Sequence, residues 1–283
     1  MKGKNYYHKV VIALLATYLI VPLLATFMFS IAGKWDNSIL PEYLTLKWYA
    51  ELFTDTRFYT ALQRSLFIIL VTVGLSISIM LPTVFIITVY FPKWEKLLQA
   101  LAMLPYGIPA IVAAVGLLKL YSGSMIQIAG TPWILIGAYF VLTLPFMYQG
   151  IRNSLRTVNA VELLTAAELL GATKIQAFIR VVMPNILPGI LVSTLLSIAL
   201  LFSEFALANL LVGGRYETIQ IYLYQKLNQS GHLTSAVVIA YYSIILFLTW
   251  AILTMRNGTK KRRWVLGMSA LANVKRKTRL VKG

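Results

Sequence analysis

The sequence has 283 residues, of which 59% are hydrophobic and 12% are charged, and its mean hydropathy is +0.75. This composition excludes an ordinary soluble domain and indicates a protein that crosses a membrane several times. The net charge of +17 would suggest nucleic-acid binding in a soluble protein, but here the basic residues lie between and after the apolar segments. The sequence contains no cysteine, which excludes disulfide bonds, thiolate metal ligands and a cysteine nucleophile.

Long charge-free runs predict an all-α membrane protein with six transmembrane helices. Each run reaches the roughly 20 apolar residues that a helix needs to cross the hydrocarbon of a bilayer. The predicted spans are 10–31, 65–90, 98–119, 133–151, 186–209 and 236–255. The first run follows three lysines, as the apolar part of a signal peptide would. It exceeds the usual signal-peptide length of about 7–15 apolar residues, so we expect a retained helix.

Lysine and arginine residues are distributed unequally between the two sides that these spans define. With the N-terminus inside, the inner segments hold 19 of them and the outer segments hold 7. The positive-inside rule therefore predicts that both termini are cytoplasmic. We expect a cytoplasmic N-terminus (1–9), a membrane domain (10–255) with a cytoplasmic loop at 152–185, and a basic cytoplasmic tail (256–283).

Three segments outside the spans have a predicted character of their own. The outer loop 34–64 is rich in aromatic residues, and a short surface helix is expected at Leu46–Phe53, either as plain structure or as a contact for another protein. The outer segment 213–235 is expected to form a short surface helix or an extended loop. Its His232 has no second ligand at metal-binding spacing, so we predict no metal site. The tail's positive charge fits contact with anionic membrane lipid, with RNA binding as the alternative.

Two features inside the predicted spans are candidates for a solute pathway. Pro105, Gly107 and Pro109 interrupt the third span, and such breaks occur where backbone lines a cavity or packs on protein. Glu204 is the only acidic residue within a predicted span, where a carboxylate is costly unless it faces protein or water. Glu204 is therefore a candidate for a substrate contact, a gate or an ion pair. The structural alternatives are an interhelical hydrogen bond and a snorkelling surface residue.

The stretch Glu162–Ile190 differs from the rest of the chain because it carries charge and helix-start signals between two apolar blocks. Asn159 is expected to cap a helix, with Glu162 as its partner in a capping box. Gly171 is expected to end this helix, because glycine adopts a positive φ at low cost. The predicted apolar stripe of the helix is Leu163, Leu164, Ala167 and Leu170.

A second short helix is expected to follow Gly171. Thr173 and Gln176 have the spacing of another capping box, and Pro184 and Pro188 are expected to end regular helix. The predicted apolar stripe of this second helix is Ile175, Phe178, Ile179 and Val182. Two short amphipathic helices joined at Gly171 predict a docking surface on the water side of the membrane.

The spacing within this stretch resembles the "EAA" loop of ABC importer permeases. That pattern is Glu-Ala-Ala, three residues, Gly, nine residues, an aliphatic residue, one residue, an aliphatic residue and Pro. The corresponding positions here are Thr165, Ala166, Ala167, Gly171, Ala172, Val181, Met183 and Pro184. Thr165 stands where the pattern has glutamate, so no role of that carboxylate is carried over. The resemblance implies that this loop is a coupling helix, which fits a groove on the ATPase subunit.

Other stretches resemble the permeases of the polyamine, ferric-iron and 2-aminoethylphosphonate importers. They are residues 35–46, 104–118 and 131–146, and the third and fourth spans are most similar to the aminoethylphosphonate permeases. The resemblance implies the type I (MetI-like) importer fold, in which this chain pairs with a related permease or with a second copy of itself. It also implies cytoplasmic ATPase subunits and an extracytoplasmic binding protein as partners, and a location in the inner membrane of a bacterial cell. The implied substrate is 2-aminoethylphosphonate or a polyamine such as spermidine or putrescine, with ferric iron as a further candidate.

Two other classes of membrane protein are less compatible with the sequence. A secondary transporter driven by an ion gradient needs internal repeats and more intramembrane charge, and no convincing repeat is present. An intramembrane enzyme needs clustered His, Asp or Glu, which the sequence lacks. We therefore expect an importer subunit with no catalytic residue, cofactor, metal or nucleic-acid partner, because ATP hydrolysis belongs to a separate subunit. The gradient-driven transporter remains the alternative.

Overall fold

The structure, a computed structural model, describes residues 2–35, 39–123, 127–251 and 254, with side chains from residue 7 onward. The basic tail 256–283 lies outside these residues. Apart from one short antiparallel pair of strands, the regular elements of the described chain are helical. They are, in chain order, α1 (Lys2–Ile31), β1 (Ala32–Lys34), β2 (Tyr43–Leu44), α2 (Lys47–Thr54), α3 (Thr56–Tyr90), α4 (Glu95–Met103), α5 (Ala110–Ser122), α6 (Pro132–Thr157), α7 (Ala160–Leu169), α8 (Lys174–Ala177), α9 (Met183–Ser203), α10 (Ala206–Leu211), α11 (Ile219–Leu227) and α12 (Gly231–Ala251). By its contacts the chain divides into one compact unit that ends at Ala236 and a second that begins at Val237.

Five helical segments of the described chain are long and apolar enough to cross a membrane. They are Tyr7–Ile31, Thr56–Tyr90, Pro132–Thr157, Lys174–Ser203 and Gly231–Ala251. Each corresponds to one of the six predicted spans, so an all-α membrane protein is confirmed. The segment Thr56–Tyr90 is longer than predicted, because its helix already begins at the Asp55 cap, where the side chain accepts the backbone N–H of Arg57.

The predicted third span, 98–119, is interrupted where its two prolines predicted a break. The helical segments Pro92–Gly107 and Ala110–Ser122 meet at a bend of 97°. Proline disfavours a helical conformation at the residue before it, and Ile108, which precedes Pro109, is extended with φ −108° and ψ 116°. The break therefore falls between the two prolines that the sequence singled out.

Helices α3, α6 and α9 pack together as the core of the bundle. Small residues lie where α6 and α9 cross: Gly150 faces Ser193, and Gly189 faces Ser154. A Cβ atom added at either glycine would collide with the serine side chain opposite. Membrane helices approach closely through such small residues, since the bilayer supplies little hydrophobic force to pull them together.

The helical segment Lys174–Ser203 differs from the predicted fifth span, 186–209, at both of its ends. A continuous helical segment runs from Lys174 to Ser203 through α8, a π-helical turn (Phe178–Val182) and α9. The prediction that Pro184 and Pro188 end regular helix is wrong, because Pro184 lies in the first turn of α9 and Pro188 lies inside it. The π turn directly before Pro184 shifts the backbone hydrogen bonds, so the missing proline N–H is accommodated.

Two surface helices that the sequence predicted are present at the end of the bundle opposite α7. The helix expected at Leu46–Phe53 is α2, where the Trp48 indole Nε1 donates to the carbonyl of Ala32 at 2.8 Å. The segment 213–235 contains α11, so the helical alternative is correct there. The ring of His232 stacks on Phe29, with ring centroids 4.0 Å apart.

Asp55 joins the start of α3 to α11. Its carboxylate accepts a hydrogen bond from the Tyr222 hydroxyl at 2.8 Å and lies 3.1 Å from the Lys226 ammonium. Burial alone would raise the pKa of Asp55, but the hydrogen bonds from Tyr222 and Lys226 outweigh burial and hold the pKa below its usual value. Burial and the bond to Asp55 raise the pKa of Tyr222, so this hydroxyl keeps its proton.

Candidate functional site

The loop between α6 and α9 begins with a tight turn at Asn159. This residue has φ 49° and precedes α7, and its carbonyl accepts the first helical hydrogen bond from Leu163 at 3.1 Å. Its side chain caps nothing, so the predicted capping box with Glu162 is wrong. Asparagine tolerates the left-handed conformation better than most residues, and this turn uses that property instead.

Gly171 ends α7 as predicted. It has φ 85°, and its N–H donates to the carbonyl of Glu168 at 2.9 Å. The N–H of Ala172 donates to the carbonyl of Ala167 at 3.1 Å. These two bonds form a Schellman motif, which satisfies carbonyls at the helix end that would otherwise lack a partner.

The capping box predicted at the next helix is confirmed. The N–H of Gln176 donates to the Thr173 hydroxyl at 3.3 Å, and the N–H of Thr173 donates to the Gln176 side-chain carbonyl at 3.1 Å. The chain therefore reverses direction at Gly171 and Ala172 and immediately re-enters helix. These hydrogen bonds within the loop give its turn a defined conformation.

Four large apolar side chains cover the outside of this turn and are called the loop face below. They are Leu169, Leu170, Ile175 and Ile179, which are 84%, 89%, 72% and 57% exposed. The predicted stripes are therefore only partly correct, because Leu164, Ala167 and Val182 are buried while Leu170, Ile175 and Ile179 are not. The cause is that α8 is the first turn of the long helix, whose buried side is fixed by the packing of α9.

The remaining residues of the EAA-like pattern lie on both sides of the loop face. Ala166 is exposed beside it, and Thr165 is exposed with its hydroxyl donating to the carbonyl of Val161 at 3.0 Å. Thr165 thus bonds within its own helix and offers no carboxylate at this position. The aliphatic positions and the proline follow in the π turn and the first turn of α9, at Val181, Met183 and Pro184.

One ring–ring contact and one cation–π contact join the loop to α3. The ring of Phe178 packs on Phe85 with centroids 4.2 Å apart, and the Lys174 ammonium lies 5.3 Å from the ring centroid of Tyr90. Nearby, Glu95 of α4 accepts hydrogen bonds from Arg152 at 2.5 Å and Arg156 at 2.9 Å. The loop end of the bundle is therefore connected to α3 directly and to α4 through α6.

An open groove lies between α6 and α9 directly beside the loop. Its volume is about 500 Å³. The polar residues Gln149, Asn153, Thr157 and Asn185 that line it are exposed. The complete lining is Phe146, Gln149, Gly150, Asn153, Ser154, Thr157, Val158, Asn185, Pro188, Gly189, Val192, Ser193 and Leu196. The groove is therefore polar towards the loop and apolar towards the middle of the helices.

The predicted break in the third span lies next to the apolar end of this groove. Tyr106, between Pro105 and Gly107, contacts Phe146 edge-on with ring centroids 5.9 Å apart. Met103, at the end of α4, accepts a contact at its Sδ from the Gln149 amide at 3.4 Å. Pro105 and Gly107 thus flank a residue that contacts the groove lining, while Pro109 directly precedes α5.

Glu204 is not near the groove. It follows the last residue of α9, so it lies just outside the helical segment Lys174–Ser203, whereas the predicted span 186–209 included it. Its carboxylate accepts the backbone N–H of Leu207 at 2.7 Å and of Ala208 at 3.1 Å, and the Tyr139 hydroxyl lies 3.3 Å away. Glu204 therefore caps α10 and contacts α6, which agrees with the predicted alternative of an interhelical hydrogen bond.

The polar stripe of the groove was not recognised from the sequence. Gln149, Asn153 and Thr157 recur at intervals of four along α6, and this spacing is the signal that could have revealed them. The predicted end of the fourth span at residue 151 concealed the pattern. The Glu95 pairing has no local signal, because its partners are distant in sequence.

A bundle of membrane-length helices, with an exposed loop between the segments Pro132–Thr157 and Lys174–Ser203, is typical of a multi-pass membrane protein. The chain belongs to the family of binding-protein-dependent transport system inner membrane components, whose family model matches residues 83–255. It is therefore an ABC importer permease subunit with the MetI-like fold, and its family is one of transport permeases rather than enzymes.

Curated relatives cover nearly the whole chain at low identity. The chain is 24% identical to PhnV of Salmonella typhimurium, named as a 2-aminoethylphosphonate transport system permease protein, over 92% of this chain and 98% of the relative. It is 28% identical to PotB of the same species, a spermidine/putrescine transport system permease protein, over 76% of this chain and 81% of the relative.

Two solved structures share the fold. One is a bacterial ABC transporter involved in the import of the acidic polysaccharide alginate, with a TM-score of 0.67 at 14% identity, covering 89% of this chain and 96% of that one. The other is a bacterial alginate transporter in complex with a periplasmic protein that binds an alginate pentasaccharide, with a TM-score of 0.68 at 18% identity, covering 88% and 92%. At this identity they establish the architecture alone.

Proposed function

We propose that this chain is one of two permease subunits of an importer that is driven by a cytoplasmic ATPase and supplied by an extracytoplasmic binding protein. The proposed substrate is a small amino-containing solute, 2-aminoethylphosphonate or a polyamine. The observation that carries the proposal is the loop face, a group of apolar side chains in which Leu169 and Leu170 are 84% and 89% exposed.

The loop face fits the coupling role for two physical reasons. A contiguous apolar patch at the tip of a well-formed turn is stable in water only when another surface covers it. The turn itself is held by the Schellman motif and the Thr173 capping box, so it presents the patch in one conformation. A preformed patch of this kind loses little conformational entropy on docking.

The proposed partners follow from the family and from the sequence. A binding protein is supported by the family's dependence on such a protein and by the periplasmic protein bound to the alginate transporter. A second permease subunit, either a related chain or another copy, supplies the other half of the pathway. The excess of basic residues on the α7 side supports a cytoplasmic location for the loop, where an ATPase can reach it.

The proposal is tested by purifying this chain with its membrane and cytoplasmic partners in lipid discs and measuring ATP hydrolysis. The cognate binding protein is added with spermidine, 2-aminoethylphosphonate, ferric iron or maltose. We expect one loaded binding protein to stimulate hydrolysis. If no ATPase co-purifies and hydrolysis never responds, the proposal fails and an ion-gradient-driven transporter becomes the better explanation.

A charge placed on the loop face gives a sharper test. Leu170→Glu should remove the ATPase from the purified complex, because it puts an unpaired carboxylate into an apolar contact. Leu46→Glu is the matched control, since Leu46 is 69% exposed but lies at the opposite end of the bundle. Equal recovery of the ATPase with both variants would contradict the coupling role of this face.

A further inference from the structure

We propose that the groove between α6 and α9 is the exit vestibule of the solute path, and that it takes a small zwitterionic solute, whose positive and negative groups largely cancel. This inference rests on the proposed function and deepens it. It concerns which chemical class of solute the lining can pass, and it argues for an aminoalkylphosphonate over a polycationic amine.

The first argument is the polarity of an open helix face. Gln149, Asn153 and Thr157 share one stripe of α6, and Asn185 faces the same groove from α9. All four are exposed in the isolated chain although their helices are otherwise apolar enough to cross a membrane. Side chains with amide and hydroxyl groups are costly against lipid, so this face requires water or a polar solute.

The second argument is the absence of charge from the lining. None of the residues that line the groove among the described part of the chain is acidic or basic. The arginines of the same stretch of α6 are engaged elsewhere, since Arg152 and Arg156 both bond to Glu95. A polycation would therefore find no counter-charge in the groove, and an uncompensated charge is strongly disfavoured away from bulk water.

The third argument is that amides complement a zwitterion. A primary amide offers both a donor and an acceptor, so it can bond an anionic oxygen at one end of a solute and an ammonium group at the other. The groove volume of about 500 Å³ is in the range of small-molecule sites. Phe146, which lines the apolar end of the groove, contacts Tyr106.

The absence of cysteine from the sequence makes the test direct. Asn153→Cys is introduced into the full chain, and inside-out vesicles from the expressing bacterium are treated with a cationic (trimethylammonium) or an anionic (sulfonate) methanethiosulfonate. Thr157→Cys is treated in parallel in case one variant fails to fold. Leu70→Cys is the matched control, because Leu70 is 63% exposed but lies on α3, away from the groove.

We expect both groove cysteines to react and Leu70→Cys to stay unmodified. After division by the rates with a free thiol, the cationic and anionic rates should agree within about threefold, because an uncharged lining creates no strong potential. Adding Asn185→Asp should then favour the cationic reagent by about tenfold, which establishes that the assay detects a single carboxylate.

Three results would overturn the inference. Protection of both groove cysteines together with a disulfide between two copies of the chain would make the groove a subunit interface. Protection without a disulfide would mean that lipid or a related permease chain covers it. A preference of about tenfold or more for one reagent in the absence of Asn185→Asp would mean a charged path. Each result leaves the stimulation of ATP hydrolysis unchanged, so it is distinguishable from failure of the proposed function.

Discussion

Phe178 of the π turn packs its ring on Phe85 of α3, with the centroids 4.2 Å apart. This contact connects the segment that follows the loop face to a core helix. We expect Phe178→Ala to lower the free energy of unfolding by roughly 1–3 kcal/mol, since a half-buried ring loses less than a core one. A double-mutant cycle of Phe178→Ala and Phe85→Ala, measured by thermal unfolding, should give a coupling energy of about 0.5–1.5 kcal/mol. Strictly additive effects of the two substitutions would contradict a direct contact.

Gly171 is predicted to be essential for the shape of the loop. Its φ of 85° is unfavourable for most residues, and a β-branched side chain is the worst case. Gly171→Val should strain the turn by about 1–2 kcal/mol and reduce recovery of the ATPase with the chain, while membrane insertion stays normal. Gly171→Asn is the control, because asparagine tolerates this conformation. Loss of the ATPase with both variants, or with neither, would exclude the conformational explanation.

Glu204 is predicted to contribute to stability rather than to transport. Glu204→Ala removes the cap of α10 and should lower the free energy of unfolding by about 1 kcal/mol. Glu204→Gln retains one acceptor and should cost less. Uptake per folded molecule should stay within about twofold of the unmodified chain in both cases, as expected for lost capping alone. A collapse of uptake by Glu204→Gln with normal thermal stability would return the carboxylate to the solute path.

Alanine substitutions are predicted to have opposite effects on stability at two glycines, one at the crossing of α6 and α9 and one that faces open space. Gly189→Ala forces a Cβ atom into the side chain of Ser154 and should destabilise the protein by about 1–3 kcal/mol. Gly137→Ala, also in a membrane helix, meets open space and should be neutral or stabilise by about 0.5–1 kcal/mol. Ser154→Ala should partly rescue Gly189→Ala. Equal melting temperatures for Gly189→Ala and Gly137→Ala would show that α6 and α9 are not tightly packed at their crossing.

Asp55 predicts a loss of stability in acid. Its pKa is held below the value in an unfolded chain by the bonds from Tyr222 and Lys226, against the effect of burial. The stabilisation is therefore complete above the unfolded pKa of about 3.9 and is lost as the pH falls through the lower folded pKa. The melting temperature should decrease below about pH 4, and Asp55→Asn should flatten that decrease. An unchanged pH profile in Asp55→Asn would rule out this carboxylate as the cause.

Features with a local cause were predictable from the sequence. Gly171 and the pair Thr173 and Gln176 have signals within a few residues, and the structure confirms their backbone conformation and hydrogen bonds. The surface helix at α2 was predictable for the same reason. Asn159 was placed correctly at the start of α7, but its conformation depends on the direction in which α6 delivers the chain.

Features set by packing were not predictable. Pro184 and Pro188 ordinarily end a helix, and only the π turn before them explains why α9 continues. Leu170 and Ile175 lie on apolar stripes, but which side of each helix is buried depends on α9. The uncharged groove needs two helices to be placed side by side, so neither helix reveals it alone.

The continuous helical segment from Lys174 to Ser203 has a mechanical consequence. It contains 30 residues, so it is about 45 Å long at the usual rise per residue. Gly189, where it crosses α6 most closely, lies near its midpoint. A rigid rod that tilts about its centre moves its ends in opposite directions, and a tilt of about 5° displaces each end of this one by about 2 Å. We expect the segment to tilt as one unit, so that a push on the loop face would move the Glu204 end in the opposite direction.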